Sequence, residues 1–77
     1  MIEELTEVVL TEDISEQGLK MGDVGMVVHV YVNPAGYEVE FVTLTGEFVA
    51  LVAVHPHQIR PIAHDEIANV RRVQIGI

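Results

Sequence analysis

The chain has 77 residues, 49% of them hydrophobic, and a formal net charge of −8 from 12 acids set against 4 lysines and arginines. This length fits one domain and no more, and the hydrophobic content is not that of a disordered segment. The absence of cysteine excludes a disulfide framework, an iron–sulfur cluster and a cysteine-based zinc site.

Residues 1–6 read as a short acidic segment, a frayed end or a single turn. Residues 7–11 (EVVLT) are the first expected strand. Residues 12–20 (EDISEQGLK) are too long for a tight hairpin and form a polar excursion anchored by Ile14 and Leu19 and closed by Gly18. Gly22 and Gly25 flank an Asp-Val pair, and both are expected to supply the positive φ that a sharp bend needs. The valine-rich run 23–32 then favours a long second strand. Asn33-Pro34-Ala35-Gly36 is a turn signal, with proline pre-setting φ and glycine supplying positive φ. In the third strand, residues 37–44, Tyr37, Val39 and Phe41 alternate with Glu38 and Glu40, which puts the two glutamates on a wet face. After a turn at Thr45-Gly46, residues 47–54 (EFVALVAV) are almost wholly apolar, and the expectation is that both faces are covered. His55-Pro56-His57-Gln58 breaks the sheet with a short 3-10 turn. Residues 59–62 close the set, with Pro61 at an edge or strand end.

Five short strands in this order predict an all-β fold, a small five-stranded barrel over residues 1–62. Residues 63–77 stand beyond it as a C-terminal extension. Residues 64–69 have room for a short helix. From Val70 the chain alternates, with Val73, Ile75 and Ile77 on one side and Arg72, Gln74 and Gly76 on the other. Such a strand adds to its own sheet or to another copy. Val70, Arg71, Arg72, Val73, Ile75 and Ile77 are therefore candidate oligomerisation residues.

Three stretches, EVVLTEDISEQGLKMGDVGMVVHVY, GYEVEFVTLTGEFVALVAV and HPHQIRPI, together resemble the SH3-like barrel superfold. Within it they are similar to a family of short prokaryotic proteins, domain of unknown function 4926. The resemblance covers residues 7–62 and ends there. It implies a small barrel of this strand order, no established activity, and an association of its members with toxin-like neighbours. It carries over no catalytic residue.

Charge is distributed unevenly. Residues 1–47 hold ten acids and only Lys20 as a base, while residues 48–77 hold Asp65, Glu66 and the three arginines Arg60, Arg71 and Arg72. Nucleic-acid affinity comes mainly from clustered bases on phosphates, so the acidic half opposes DNA or RNA. A KOW-like nucleic-acid-binding barrel, suggested by the GDVG turn, is the weaker reading, with too few bases and stacking aromatics. Acidic surfaces steer basic partners and also keep a chain soluble. A protein partner, expected to be basic, would meet Glu12, Asp13 and Glu16 in the first loop and Tyr31, Tyr37, Glu38 and Glu40 on the central hairpin. The three arginines read as ion-pair or interface groups.

Chemistry finds little footing. His55, His57 and His64, with Asp65 and Glu66 near the last, lack the spacing of established metal motifs. They read as surface or capping groups, and no metal or cofactor is expected. Glu38 and Glu40, ~7 Å apart along a strand, resemble a glycosidase pair only in separation, because a hairpin offers no cleft. Gly22-Asp23-Val24-Gly25 is not followed by the lysine and helix of a phosphate loop. His29 is expected on the wet face. The reading is a non-catalytic protein-binding module of the antitoxin or immunity type that neutralises a basic toxin-like protein. A self-assembling subunit of a larger complex is the alternative. No apolar run approaches the ~20 residues of a membrane span. Acids stand where a leader peptide carries bases, so a cytoplasmic location is expected.

Overall fold

The computed structural model describes residues 1–75. Strands β1 (Glu7–Leu10), β2 (Val24–Val32), β3 (Ala35–Val42), β4 (Phe48–Val54) and β5 (Ile59–Pro61) form one antiparallel sheet in the order β4-β3-β2-β1-β5. Single 3-10 turns occupy Ser15–Gln17 and Pro56–Gln58. The five expected barrel strands all form, with ends shifted by at most two residues.

The sheet curls through β2. Its first residues pair with β1, Val9 opposite Val24 and Glu7 opposite Met26, and the rest pairs with β3 from Met26 opposite Glu40 to Val32 opposite Ala35. A bulge between Val27 and His29 leaves Val28 as the extra residue and sharpens the twist. The bulge lets Val27 and Val30 both pack inward while His29 faces out, as expected for that histidine. The result is a small SH3-like barrel.

Gly25 sits where the curl brings backbone and side chains closest. A Cβ there would lie 2.7 Å from Val39 Cγ1, 2.8 Å from Phe41 Cε1 and 2.9 Å from the Glu40 carbonyl oxygen. The expectation of positive φ holds for Gly22 alone of the pair (φ 95°); Gly25 is needed for space. Gly36 is a second correction. It is a buried strand residue whose missing Cβ leaves room for the Val54 carbonyl, 3.0 Å away. Asn33-Pro34, joined by a cis peptide, makes the turn.

The core gathers Val8, Leu10, Leu19, Val27, Tyr37, Val39, Phe41, Ala50, Val54 and Ile59, and no polar or charged side chain is buried among the described residues. The run 47–54 is covered on one face only, which corrects the expectation of two. A single curled sheet has one interior. Ala50 and Val54 point into it, while Phe48 and Leu51 remain 56% and 51% exposed on the outside.

The extension behaves differently from its pattern. His64 and Asp65 form a turn, and no helix or strand follows through Ile75. Ile77 and Gly76, expected in the added strand, lie outside the described residues. Two arginine–carboxylate forks hold the extension to the barrel. Arg60 donates to Glu66 through both terminal nitrogens, at 2.8 and 2.6 Å, and the Ala63 N–H adds a third bond at 2.7 Å. Arg71 donates through Nε to Asp23 Oδ1 at 2.8 Å, and its Nη2 reaches Asp23 Oδ2 and the Gly18 carbonyl oxygen, the latter at 3.2 Å. Side-chain capture of this kind competes with helix formation over 64–69, because Glu66 is spent on Arg60 and the Ala63 N–H.

Two measurements follow from these contacts. Gly25→Ala should destabilise the barrel by about 1–3 kcal/mol through overpacking, read as a lower denaturant midpoint; an unchanged midpoint would refute the close-packing role. Hydrogen bonds from Arg60 and from the Ala63 N–H lower the Glu66 carboxyl from its ordinary 4.5 to about 2. A depressed carboxyl contributes its anchoring above its ordinary value and loses it as pH falls through the folded value. The anchor should therefore be complete at neutral pH and open only as pH approaches about 2. NMR titration of Glu66 in Arg60→Gln should show the midpoint returning toward 4.5.

Candidate functional site

Directly opposed residues on neighbouring strands share a face of the sheet. Across β2, β3 and β4 the outward rows are therefore His29–Glu38–Ala53, Met26–Glu40–Leu51 and, past a second irregularity, Val42–Phe48. These rows make a face with apolar side chains on the β4 side and carboxylates in the middle. Val42, Phe48 and Leu51 are all largely exposed there, and Leu44 stands exposed in the following turn. Glu38 and Glu40 are half-buried along the strand.

Tyr31 belongs to this face as expected, 43% exposed at the end of β2. Its hydroxyl donates to Glu38 Oε1 at 2.5 Å, and its ring packs edge-on to His29 with centroids 4.6 Å apart. His29 Nδ1 lies 3.8 Å from Glu4 Oε2. The hydrogen bond to Glu38, together with desolvation and the carboxylate charge, raises the Tyr31 hydroxyl above its ordinary 10. The carboxylate is thus fixed in direction by a neighbour that does not neutralise it.

Tyr37 is not on this face. It is 7% exposed and belongs with Val39 and Phe41, the inward set of β3; its hydroxyl oxygen accepts the Ile2 N–H at 3.2 Å. The alternation that puts Glu38 outward puts Tyr37 inward, so it cannot also serve as a surface anchor.

The first-loop acids form a separate place. Asp13 accepts the Met21 N–H at 2.8 Å, and Glu12 accepts from Gln58 Nε2 at 3.2 Å with His57 Nε2 3.8 Å away. Glu16 is exposed on the 3-10 turn. This loop precedes Val24, whereas Tyr31 lies seven residues further along β2, roughly 23 Å by strand rise. The structure therefore divides the expected acidic interface between opposite ends of β2. Asp23, unnoticed in the sequence as a partner, is the centre of the loop. Burial raises its carboxyl, but hydrogen bonds from Arg71 and the Lys20 N–H, with both cationic charges, outweigh this and hold it below the ordinary value of 3.8. Of the candidate oligomerisation residues, Arg71 is engaged within the chain, Val70 and Arg72 are exposed and Val73 is half-buried.

The histidines stay apart from any cluster. His55 and His57 stack with centroids 5.6 Å apart, and His64 stands exposed in its own turn. Among the described residues no three His, Asp or Glu side chains converge as a metal site would require. An open depression of about 380 Å³ lies beside the outer face, lined by Tyr31, Val32, Pro34, Ala53, Val54 and His55. Among the described residues no helix is long and apolar enough to cross a membrane.

The chain belongs to the family described as Domain of unknown function (DUF4926), whose model matches residues 4–61. That span holds all five strands and the whole outer face, and leaves the extension outside. No curated protein and no solved structure matches the chain.

If Glu38 fixes the Tyr31 hydroxyl, Glu38→Gln should move the alkaline titration of the exposed tyrosine down toward 10, followed by ultraviolet absorbance. A titration identical to the wild type would show that the hydrogen bond does not form in solution.

Proposed function

Because that family membership fixes no activity, we propose from the surface itself that the protein is a non-catalytic binding module for a basic protein. It would act in the manner of an antitoxin or immunity protein that neutralises a toxin-like partner. The outer face of β2, β3 and β4 is the binding surface. The observation that carries the reading is the placement of exposed Phe48, Leu51 and Val42 next to Glu38 and Glu40 on one sheet face. An exposed apolar strip marks interaction surfaces, and a border of one charge sign selects partners and speeds encounter. Among the described residues the core holds no buried acid, histidine or lysine, the groups whose titration catalysis most often tunes, and its one hydroxyl, that of Tyr37, accepts the Ile2 N–H. Arg60 and Arg71 are paired within the chain with Glu66 and Asp23, which leaves the acidic character of the outer face intact.

The test is capture from the source cells at low and high salt, with the wild type beside a Glu38→Gln, Glu40→Gln, Leu51→Lys variant. A strongly basic protein should be retained at low salt, should be lost with the variant, and should weaken as salt screens the carboxylates. Retention of no protein under either condition would end the proposal.

A further inference from the structure

The edge of the sheet carries the reading a step further. β4 is seven residues long, FVALVAV, without a charge or a proline. Among the described residues it pairs with β3 alone and ends the strand order. Natural sheets blunt such edges with lysine, proline, bulges or a covering element, because a free row of backbone N–H and C=O groups templates another strand. In β4 the irregularity lies only at the start, between the Phe41 and Val42 pairings. From Ala50 to Val54 the register with β3 is unbroken and no blunting residue is present.

We propose that β4 is a strand-addition site that takes an extended segment of the basic partner, an inference that rests on the outer-face reading above. The register dictates what that segment contains. Ala53 is opposite Glu38 and Leu51 is opposite Glu40. An incoming strand lies one strand spacing beyond β4 and about 10 Å from β3. An arginine or lysine placed beside Ala53 lays its stem over that short methyl and brings its charged head to Glu38. A residue placed beside Leu51 meets an apolar side chain instead, so an aliphatic group is favoured there. On the other face, Val52 and Val49 are half-buried against the core, so the segment's inward positions are apolar as well. The partner sequence is thus alternating, with apolar residues on one side and bases at selected positions on the other. A second copy of this chain fits less well. It would bring its own Glu38, Glu40 and Glu47 to the same edge, and two chains of charge −8 repel at the distance where strands pair.

The probe is a blocked peptide alternating valine with arginine, with a valine–glutamate peptide as its control. Both are added at low salt to the full chain while amide hydrogen exchange is followed. The inference expects slowed exchange at β4 amides with the arginine peptide and none with the glutamate peptide. Binding should weaken about tenfold in Glu38→Gln, the scale of one charge-assisted contact, and stay unchanged in Glu16→Gln. Arginine-peptide binding that protects residues 11–23 and not β4 would overturn the strand-addition site and leave the basic-partner reading standing. Absence of any basic ligand binding would overturn both. Protection of β4 in the free chain with a concentration-dependent mass, abolished by Leu51→Lys, would assign the edge to a second copy and overturn the inference.

Discussion

The passage of Gly25 against Val39 and Phe41 is the contact on which the barrel depends. β2 must serve β1 with its first residues and β3 with the remainder, and the two pairings overlap at Met26. A strand shared in this way has to bend, and bending drives its concave side into the residues it faces. Only a residue without a Cβ fits there, since the closest atoms already lie within 3 Å of where that carbon would be. The bulge at Val28 completes the bend by resetting the alternation, so that Val27 and Val30 both reach the core. Val8 and Val27 are then sealed completely, and Ile59 on β5 finds Leu10.

The same curl decides which side chains remain outside. One sheet encloses one interior, so each strand has a covered and an uncovered face unless something else is laid upon it. For β3 the sequence announces this by alternating Glu38 and Glu40 with Val39 and Phe41. For β4 it does not: FVALVAV reads as a strand buried on both sides, because hydrophobicity alone cannot tell a doubly covered strand from one exposed on one face. The element count was the available signal, since the five strands and two 3-10 turns among the described residues include no second layer to supply the cover.

Other features were legible to different depths. Strand order, the 3-10 turn at Pro56, the closure of the first loop by Gly18 and the outward place of His29 follow from local chemistry and were readable. The roles of Gly25 and Gly36 were not, because the signal of a glycine is the same whether the backbone needs positive φ or a neighbour needs space. Tyr37 was readable from alternation, which overrides the general tendency of tyrosine toward interfaces. The extension was the least legible. Its apolar alternation from Val70 invites a strand, yet its path is set by Arg60 with Glu66 and by Arg71 with Asp23. The latter pair joins residues 48 positions apart, which no local pattern reveals.

Those two forks also bear on the surface that remains. Bidentate arginine–carboxylate pairs combine charge with fixed geometry, and here they join arginines to acids away from the outer rows of β2, β3 and β4. The chain has only four lysines and arginines, and two of them are committed to holding the extension in place. Glu38 is instead oriented by a neutral hydroxyl, that of Tyr31. Concentrated like charge is a standing cost to a small barrel through self-repulsion. Placing the available cations on Asp23 and Glu66 while leaving Glu38 and Glu40 beside an exposed apolar edge is a poor arrangement for stability alone. Under the proposed function, a basic partner supplies the positive charge that this face lacks.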